Sequence, residues 1–244
     1  MTLVKTEALI LRSIPFQESS FIVRMFTREQ GKIAVIAKGA RRLKSGFRGL
    51  LEPLNYIDAI YYYKSTRDIQ TLSKTDLLRS FLATAGDMES TILGMALLEL
   101  IDKIVHDHQH DSEIFDSAVA HLKTMDKTPQ ISQIVFMCFL LELIDILGYR
   151  FNAKMCHRCR TELDDAVYHP GSAELLCREC GHNISTEYRL SKSEVAFLAN
   201  PQAEALYPHI DQKKLLRTLL HYLSYHIDEA LNLKTLRILP SIQT

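Results

Sequence analysis

The chain has 244 residues, 47% hydrophobic and 24% charged, with 29 basic residues balanced by 29 acidic ones. This is ordinary globular composition with room for two domains, and it excludes a low-complexity or disordered polyelectrolyte. The start, MTLVKTEALI, lacks a basic opening and a small-residue cleavage site, so no signal peptide is expected.

The charge balance conceals a split. Residues 1–80 carry 14 Lys/Arg and 7 Asp/Glu, a net of +7, and the remainder carries 15 and 22, a net of −7. A basic first part suits an anionic partner such as nucleic acid.

Five short β-branched or aromatic runs open the chain: Val4 to Ser13, Ser19 to Arg28, Lys32 to Gly39, Leu54 to Tyr63 and Ile69 to Thr75. Pro15 and Gln30-Gly31 mark the first two turns. The third gap is KGARRLKSGFRG, residues 38 to 49, with five cations, three glycines and no acid. Five strands in so short a span predict a small barrel over residues 1–80. The OB-fold is the commonest such barrel that grips nucleic acid. In the loop, Lys38, Arg41, Arg42, Lys44 and Arg48 are candidate phosphate contacts, and Phe47 is a candidate base-stacking ring because it has little core to enter. Alternation puts Tyr61 and Tyr63 on one strand face and Tyr62 on the other, leaving open whether they stack bases or pack the core.

From about Asp76 the period becomes helical, and residues 81–244 read as an α-helical domain. Helices are expected over Asp87–Val105, Ser112–Met125 with Ser112 as N-cap, Ile131–Leu147, Ser191–Asn200 with a Ser191/Glu194 capping box, and Lys213–Leu231. The apolar run Ile134–Gly148 carries Glu142 and Asp145 and is too short to span a bilayer, so it reads as a buried helix. The expected location is the cytoplasm, where reduced cysteines in pairs point to metal rather than disulfides.

An insertion at about 151–186 holds CHRC and CREC, the pattern Cys156-x2-Cys159-x17-Cys177-x2-Cys180. Two CxxC turns at this spacing predict one structural Zn2+ on four thiolates, with no open coordination position for catalysis. Pro170-Gly171 is the expected turn of an intervening hairpin, Gly181 permits the tight second turn, and Cys138 reads as a small buried hydrophobe.

The run HDHQHD, residues 106 to 111, resembles the metallo-β-lactamase H-x-H-x-D-H motif with its last two residues transposed. It follows a predicted helix instead of a strand and reads as a polar connection. No nucleophile elbow, P-loop, HExxH or GxGxxG appears, so no enzymatic activity is expected. Two rivals remain: a zinc-containing interaction adaptor that does not bind DNA, and a metal hydrolase using His106, His108 and Asp111.

Gly39-Ala40-Arg41-Arg42 and Lys44-Ser45 ahead of Leu51-Glu52-Pro53, the opening ALILRSIPFQESSFIVRMFTREQGKIAVIAKGARR, and the cysteine quartet between helices together resemble the bacterial RecO family over essentially the whole chain. The resemblance implies an OB-fold that binds single- and double-stranded DNA and anneals complementary strands in a nucleoid-associated, cytoplasmic repair pathway. It also implies partnership with RecR, contact with the acidic tail of single-stranded-DNA-binding protein, and the loading of RecA. Lys213, Lys214 and Arg217, bordered by apolar residues, are the candidates for the acidic tail.

Overall fold

In the computed structural model, which describes residues 2–81, 87–107, 111–227 and 233–239, the chain is α+β. Five strands come first: β1 (Thr2–Phe16), β2 (Ser20–Thr27), β3 (Gly31–Ala37), β4 (Asn55–Tyr63) and β5 (Ile69–Ser80). They pair in the order β1-β2-β3-β5-β4, and β4 returns to β1 through eight residue pairs from Thr2↔Tyr63 to Leu9↔Tyr56. The shortest seam is the parallel β3–β5 pairing, Ala34↔Ile69 to Ile36↔Thr71. The result is an OB-like five-stranded barrel. Alternate residues, among them Ile10, Met25, Val35, Ile57 and Tyr61, fill its interior.

Two details differ from expectation. Pro15 does not end β1: it pairs with Phe21 at the strand's last rungs, where a missing N–H costs little, and Gln17 at φ 51° makes the turn. β5 also runs on to Ser80, past the expected change of period, because it pairs with β4 as far as Asn55.

The helices are α1 (Met88–Ile104), α2 (Ser112–Lys127), α3 (Ser132–Ile146), α4 (Lys192–Ala199) and α5 (Gln212–His226). Asp111, not Ser112, caps α2, its carboxylate accepting from the Ile114 N–H at 3.0 Å. A carboxylate at that end also favours the helix dipole. The Ser191/Glu194 capping box of α4 forms in full.

Two compact units result, Met1–Ser132 with Leu233–Ile238, and Gln133–Asn232 with Leu239–Thr244. They part near residue 132, because α1 and α2 pack on the barrel. Phe115 of α2 meets Phe26 of β2 edge-on, with centroids 5.5 Å apart. Gly94 of α1 lets Leu54 so close that an added Cβ would lie 3.1 Å from it.

In the second unit α3 is the interior helix. Pro129–Ile146 is long and apolar enough to cross a membrane by length and composition. Yet Ile134, Phe136, Met137, Phe139, Leu140 and Ile144 are buried within the protein, while Glu142 and Asp145 face out. Between α3 and α4 lie a hairpin, β6 (Ala166–His169) and β7 (Glu174–Leu176), and the short β8 (Arg189–Leu190).

Candidate nucleic-acid interface and metal centre

Residues 38–54 form a chain of turns held at several points. Ala40 and Leu51 insert into the barrel core, and the Asn55 side chain donates to the carbonyls of Gly49 and Leu50 at 2.9 and 3.1 Å. Ser13 Oγ donates to the Leu51 carbonyl at 2.5 Å. Gly39 and Gly49 take φ of 71° and 72°, which side-chain-bearing residues adopt only at a cost. Between these anchors Lys38, Arg41, Arg42, Lys44 and Arg48 are all exposed, and Leu43 at their centre is 87% exposed.

The cations of the first 80 residues divide into two groups. On the barrel wall they are neutralised: Arg24 by Asp102 and Asp107, Arg28 by Asp116, Arg79 by Asp126, and Lys5 by Asp58. Lys32 is buried, and its ammonium donates to the Asp102 carbonyl at 2.5 Å with the Asp102 carboxylate 3.5 Å away. The five loop cations form no ion pair among the described residues; Arg41 reaches only the Gln17 and Glu18 carbonyls, at 3.4 and 3.5 Å. Much of the excess of positive charge is therefore spent inside the unit, and five of the seven cations without an ion pair among the described residues lie in the loop, the other two being Lys64 and Arg67.

The aromatic assignments change. Phe47 is half-buried against the barrel core, because a loop pinned by Ala40 and Leu51 holds its ring over the barrel mouth. The ring packs on the core and its edge lines a cleft of about 340 Å³ with Phe21, Arg41, Arg42 and Arg48. Tyr61 is core, 1% exposed. Tyr62 and Tyr63 are 40% and 37% exposed, since β4 runs past the end of the core.

In the second unit the sulfurs of Cys156, Cys159, Cys177 and Cys180 all lie within 4.8 Å of one another, with Cys159 and Cys177 at 3.6 Å. Four sulfurs about 2.3 Å from a tetrahedral centre would sit ~3.8 Å apart, so the quartet fits one ion. The first turn closes through the Arg160 N–H to the Cys156 carbonyl at 3.0 Å, with Arg160 left-handed at φ 63°. The second closes through the Gly181 N–H to the Cys177 carbonyl at 2.9 Å, and the Cys180 N–H points at the Cys177 sulfur, 3.5 Å away. Gly181 is needed for closeness instead of φ: a Cβ there would lie 2.8 Å from that of Val167 on β6.

Hydrogen bonds from the Thr161 hydroxyl, then its backbone amide, then the Cys156 and Cys177 thiols lower the Cys159 thiol to about 6. Burial, then the other three thiols, pushes Cys180 up to about 12. Sulfurs this crowded ionise together only around a cation, which is what a metal supplies. The flanking histidines turn away: His157 Nδ1 lies 2.8 Å from Glu174, and His182 Nδ1 lies 2.8 Å from the Glu179 carbonyl. Cys138 is buried, its thiol pushed up to about 12 by burial and then by Glu142.

Both halves of the chain match a single family. The family model described as Recombination protein O N terminal matches residues 1–81, and the one described as Recombination protein O C terminal matches residues 85–236. The chain belongs to the RecO family of DNA repair proteins. The DNA repair protein RecO of Koribacter versatilis is 28% identical over 94% of this chain and 96% of its own length. That of Pelodictyon phaeoclathratiforme is 29% identical over 98% of both. That of Salinibacter ruber is 34% identical, over 60% of this chain and 56% of its own length.

The remaining candidates of this RecO-family chain fare unevenly. Asp111 serves as the α2 cap and Asp107 pairs with Arg24 at 2.7 Å. His106 is exposed, and His108 and His110 lie outside the described residues. Among the described residues the cysteine quartet is the one metal-competent cluster. On α5, Lys214 is tied to Glu194 at 2.8 Å, because that buried capping carboxylate needs a counter-charge. Arg217 is exposed and Lys213 half-buried. Lys64 and Arg67 follow the exposed tyrosines in the β4–β5 turn and are exposed as well.

Proposed function

We propose that this chain is a non-enzymatic DNA-binding mediator of recombinational repair, with residues 1–80 as its DNA-binding domain and residues 81–244 as a helical, zinc-containing domain. The observation that carries the reading is the exposed loop whose five cations form no ion pair, set in a unit where the wall cations are neutralised. An exposed row of cations on a glycine-punctuated backbone tracks phosphates and reads no bases, so single- and double-stranded DNA are both ligands and binding tolerates sequence.

Neutralising two approaching backbones is the physical requirement of annealing, and the same loop supplies it. In line with the family, the chain acts in the cytoplasm, at the nucleoid. With RecR it helps load RecA onto DNA coated by single-stranded-DNA-binding protein, whose acidic tail meets the α5 surface that carries Lys213, Lys214 and Arg217. One Zn2+ on the four thiolates cross-links the segment between α3 and α4. The loop's role is tested by annealing complementary oligonucleotides with wild type and with Arg41→Glu/Arg42→Glu. The reading expects annealing by the first and little by the second; equal annealing by both would remove the loop from this role.

A further inference from the structure

Every cysteine of the chain lies in the second unit, and residues 1–132 hold none. The four sulfurs of the quartet are not equivalent. Cys156 is 0% exposed, Cys177 and Cys180 are half-buried, and Cys159 is exposed. The cause is local. The Cys156 N–H donates to the Thr161 carbonyl at 2.8 Å and the His157 N–H to the Leu175 carbonyl at 2.9 Å, so the first turn folds its leading residues against β7. Arg160, left-handed at φ 63°, reverses the chain directly after Cys159 and leaves that cysteine at the rim of the turn.

Close to the Cys159 sulfur lie Thr161 Oγ1 at 3.2 Å and Cys177 Sγ at 3.6 Å, the latter from the opposite turn, 18 residues along the chain. An accessible sulfur beside a second sulfur is the arrangement in which oxidation of the first ends in a disulfide with the second. Cys138 offers the contrast. It is 7% exposed, and its thiol donates to the Pro201 carbonyl at 3.6 Å.

We infer that Cys159 is a site of oxidation by peroxide and Cys177 its resolving partner, so that the metal centre is also a reversible modification site. The inference rests on the zinc reading above and adds to it. In the first step the Cys159 thiolate attacks one oxygen of hydrogen peroxide. An S–O bond forms, the O–O bond breaks, and hydroxide leaves, giving the sulfenic acid of Cys159. In the second step the Cys177 thiolate attacks the Cys159 sulfur. An S–S bond forms, the S–O bond breaks, and a second hydroxide leaves. Two electrons have then passed from the two sulfurs to one peroxide. Cys156 and Cys180 remain as thiolates, too few for a tetrahedral zinc site, so oxidation releases the metal. The disulfide joins the same two turns that the ion joins, so the hairpin stays cross-linked and a dithiol restores the ligand set. Because the barrel holds no cysteine, cysteine oxidation acts on the second unit alone.

The experiment treats the zinc-loaded full chain with hydrogen peroxide. It follows zinc release to a chromophoric chelator, the thiol count of the denatured chain, and disulfide-linked peptides by mass spectrometry. One zinc should leave per disulfide formed, the thiol count should fall from five to three, and the linked peptides should join Cys159 to Cys177. Dithiothreitol with added zinc should reverse all three changes. Cys159→His keeps a metal ligand, since three cysteines and one histidine also hold zinc, but removes the accessible sulfur. It should release zinc at least about 5-fold more slowly at the same peroxide concentration. Cys138→Ala should behave as wild type does. A first linkage within either CxxC turn or through Cys138 would overturn the inference and leave the zinc reading standing, as would release from Cys159→His at the wild-type rate. Should the histidine variant fail to hold zinc, the peptide map of wild type decides alone. A wild type that binds no zinc would remove the zinc reading, and this one with it.

Discussion

The cysteine quartet and the basic loop are both built from turns, and they are organised by opposite means. Each CxxC turn is closed by its own backbone, through Arg160 to Cys156 and Gly181 to Cys177, and the hairpin between them brings four sulfurs within 4.8 Å. The basic loop is held from below, by Ala40, Leu51 and Asn55, while its charged side chains meet no partner. In one region the sulfurs face each other, as the proposed structural zinc requires. In the other the cations face solvent, as the proposed binding of a polyanion requires. The contrast teaches where each region is vulnerable: the quartet to loss of any one ligand, the loop to changes in charge and not in packing.

The largest expected effect lies in the quartet. Cys177→Ser should abolish metal binding and lower the thermal midpoint of the second unit by about 10 °C or more, since binding energy of the ion is folding energy there. DNA binding should largely survive. Zinc content by atomic absorption with a melting curve checks this, and full metal content in a variant of wild-type stability would break the comparison.

How much of this was legible in the sequence depended on distance along the chain. The quartet was legible because its turns are local and its spacing is restrictive. The barrel's strands were legible from alternation, but the β3–β5 seam, which joins residues more than thirty positions apart, leaves no local signal. The neutralisation of Arg24, Arg28 and Arg79 was invisible for the same reason, since their acids sit on α1, α2 and the connection between them. Phe47 misled because a loop pinned at two core residues can bury a ring that composition alone places in solvent. Lys214 misled because the carboxylate that occupies it, Glu194, lies twenty residues earlier in sequence, where it accepts from the Ser191 N–H in the α4 capping box and also from the Asp211 N–H.

Smaller effects sharpen the contrast. Gly181→Ala forces a Cβ against Val167 and should cost about 1–3 kcal/mol with weaker metal retention, read by chelator challenge. Phe47→Ala should cost about 1 kcal/mol of barrel stability in chemical denaturation, because its ring is half-buried, and should leave the salt slope of DNA binding unchanged. A flattened slope with unchanged stability would return Phe47 to the ligand side. The smallest effect belongs to His106→Ala, an exposed side chain, which should change zinc content and DNA affinity by less than about 0.5 kcal/mol-equivalent. Loss of metal in that variant would revive the hydrolase.

The central claim is that the loop's unneutralised cations hold phosphates, and the salt dependence of single-strand affinity tests it most directly. Each cation that contacts a phosphate contributes about 0.7 to the slope of log K against log salt. Arg41→Glu/Arg42→Glu, with zinc content and melting point as in wild type, should bind less tightly at low salt and show a slope shallower by at least about 1.4. A folded double variant with the wild-type slope would contradict the account.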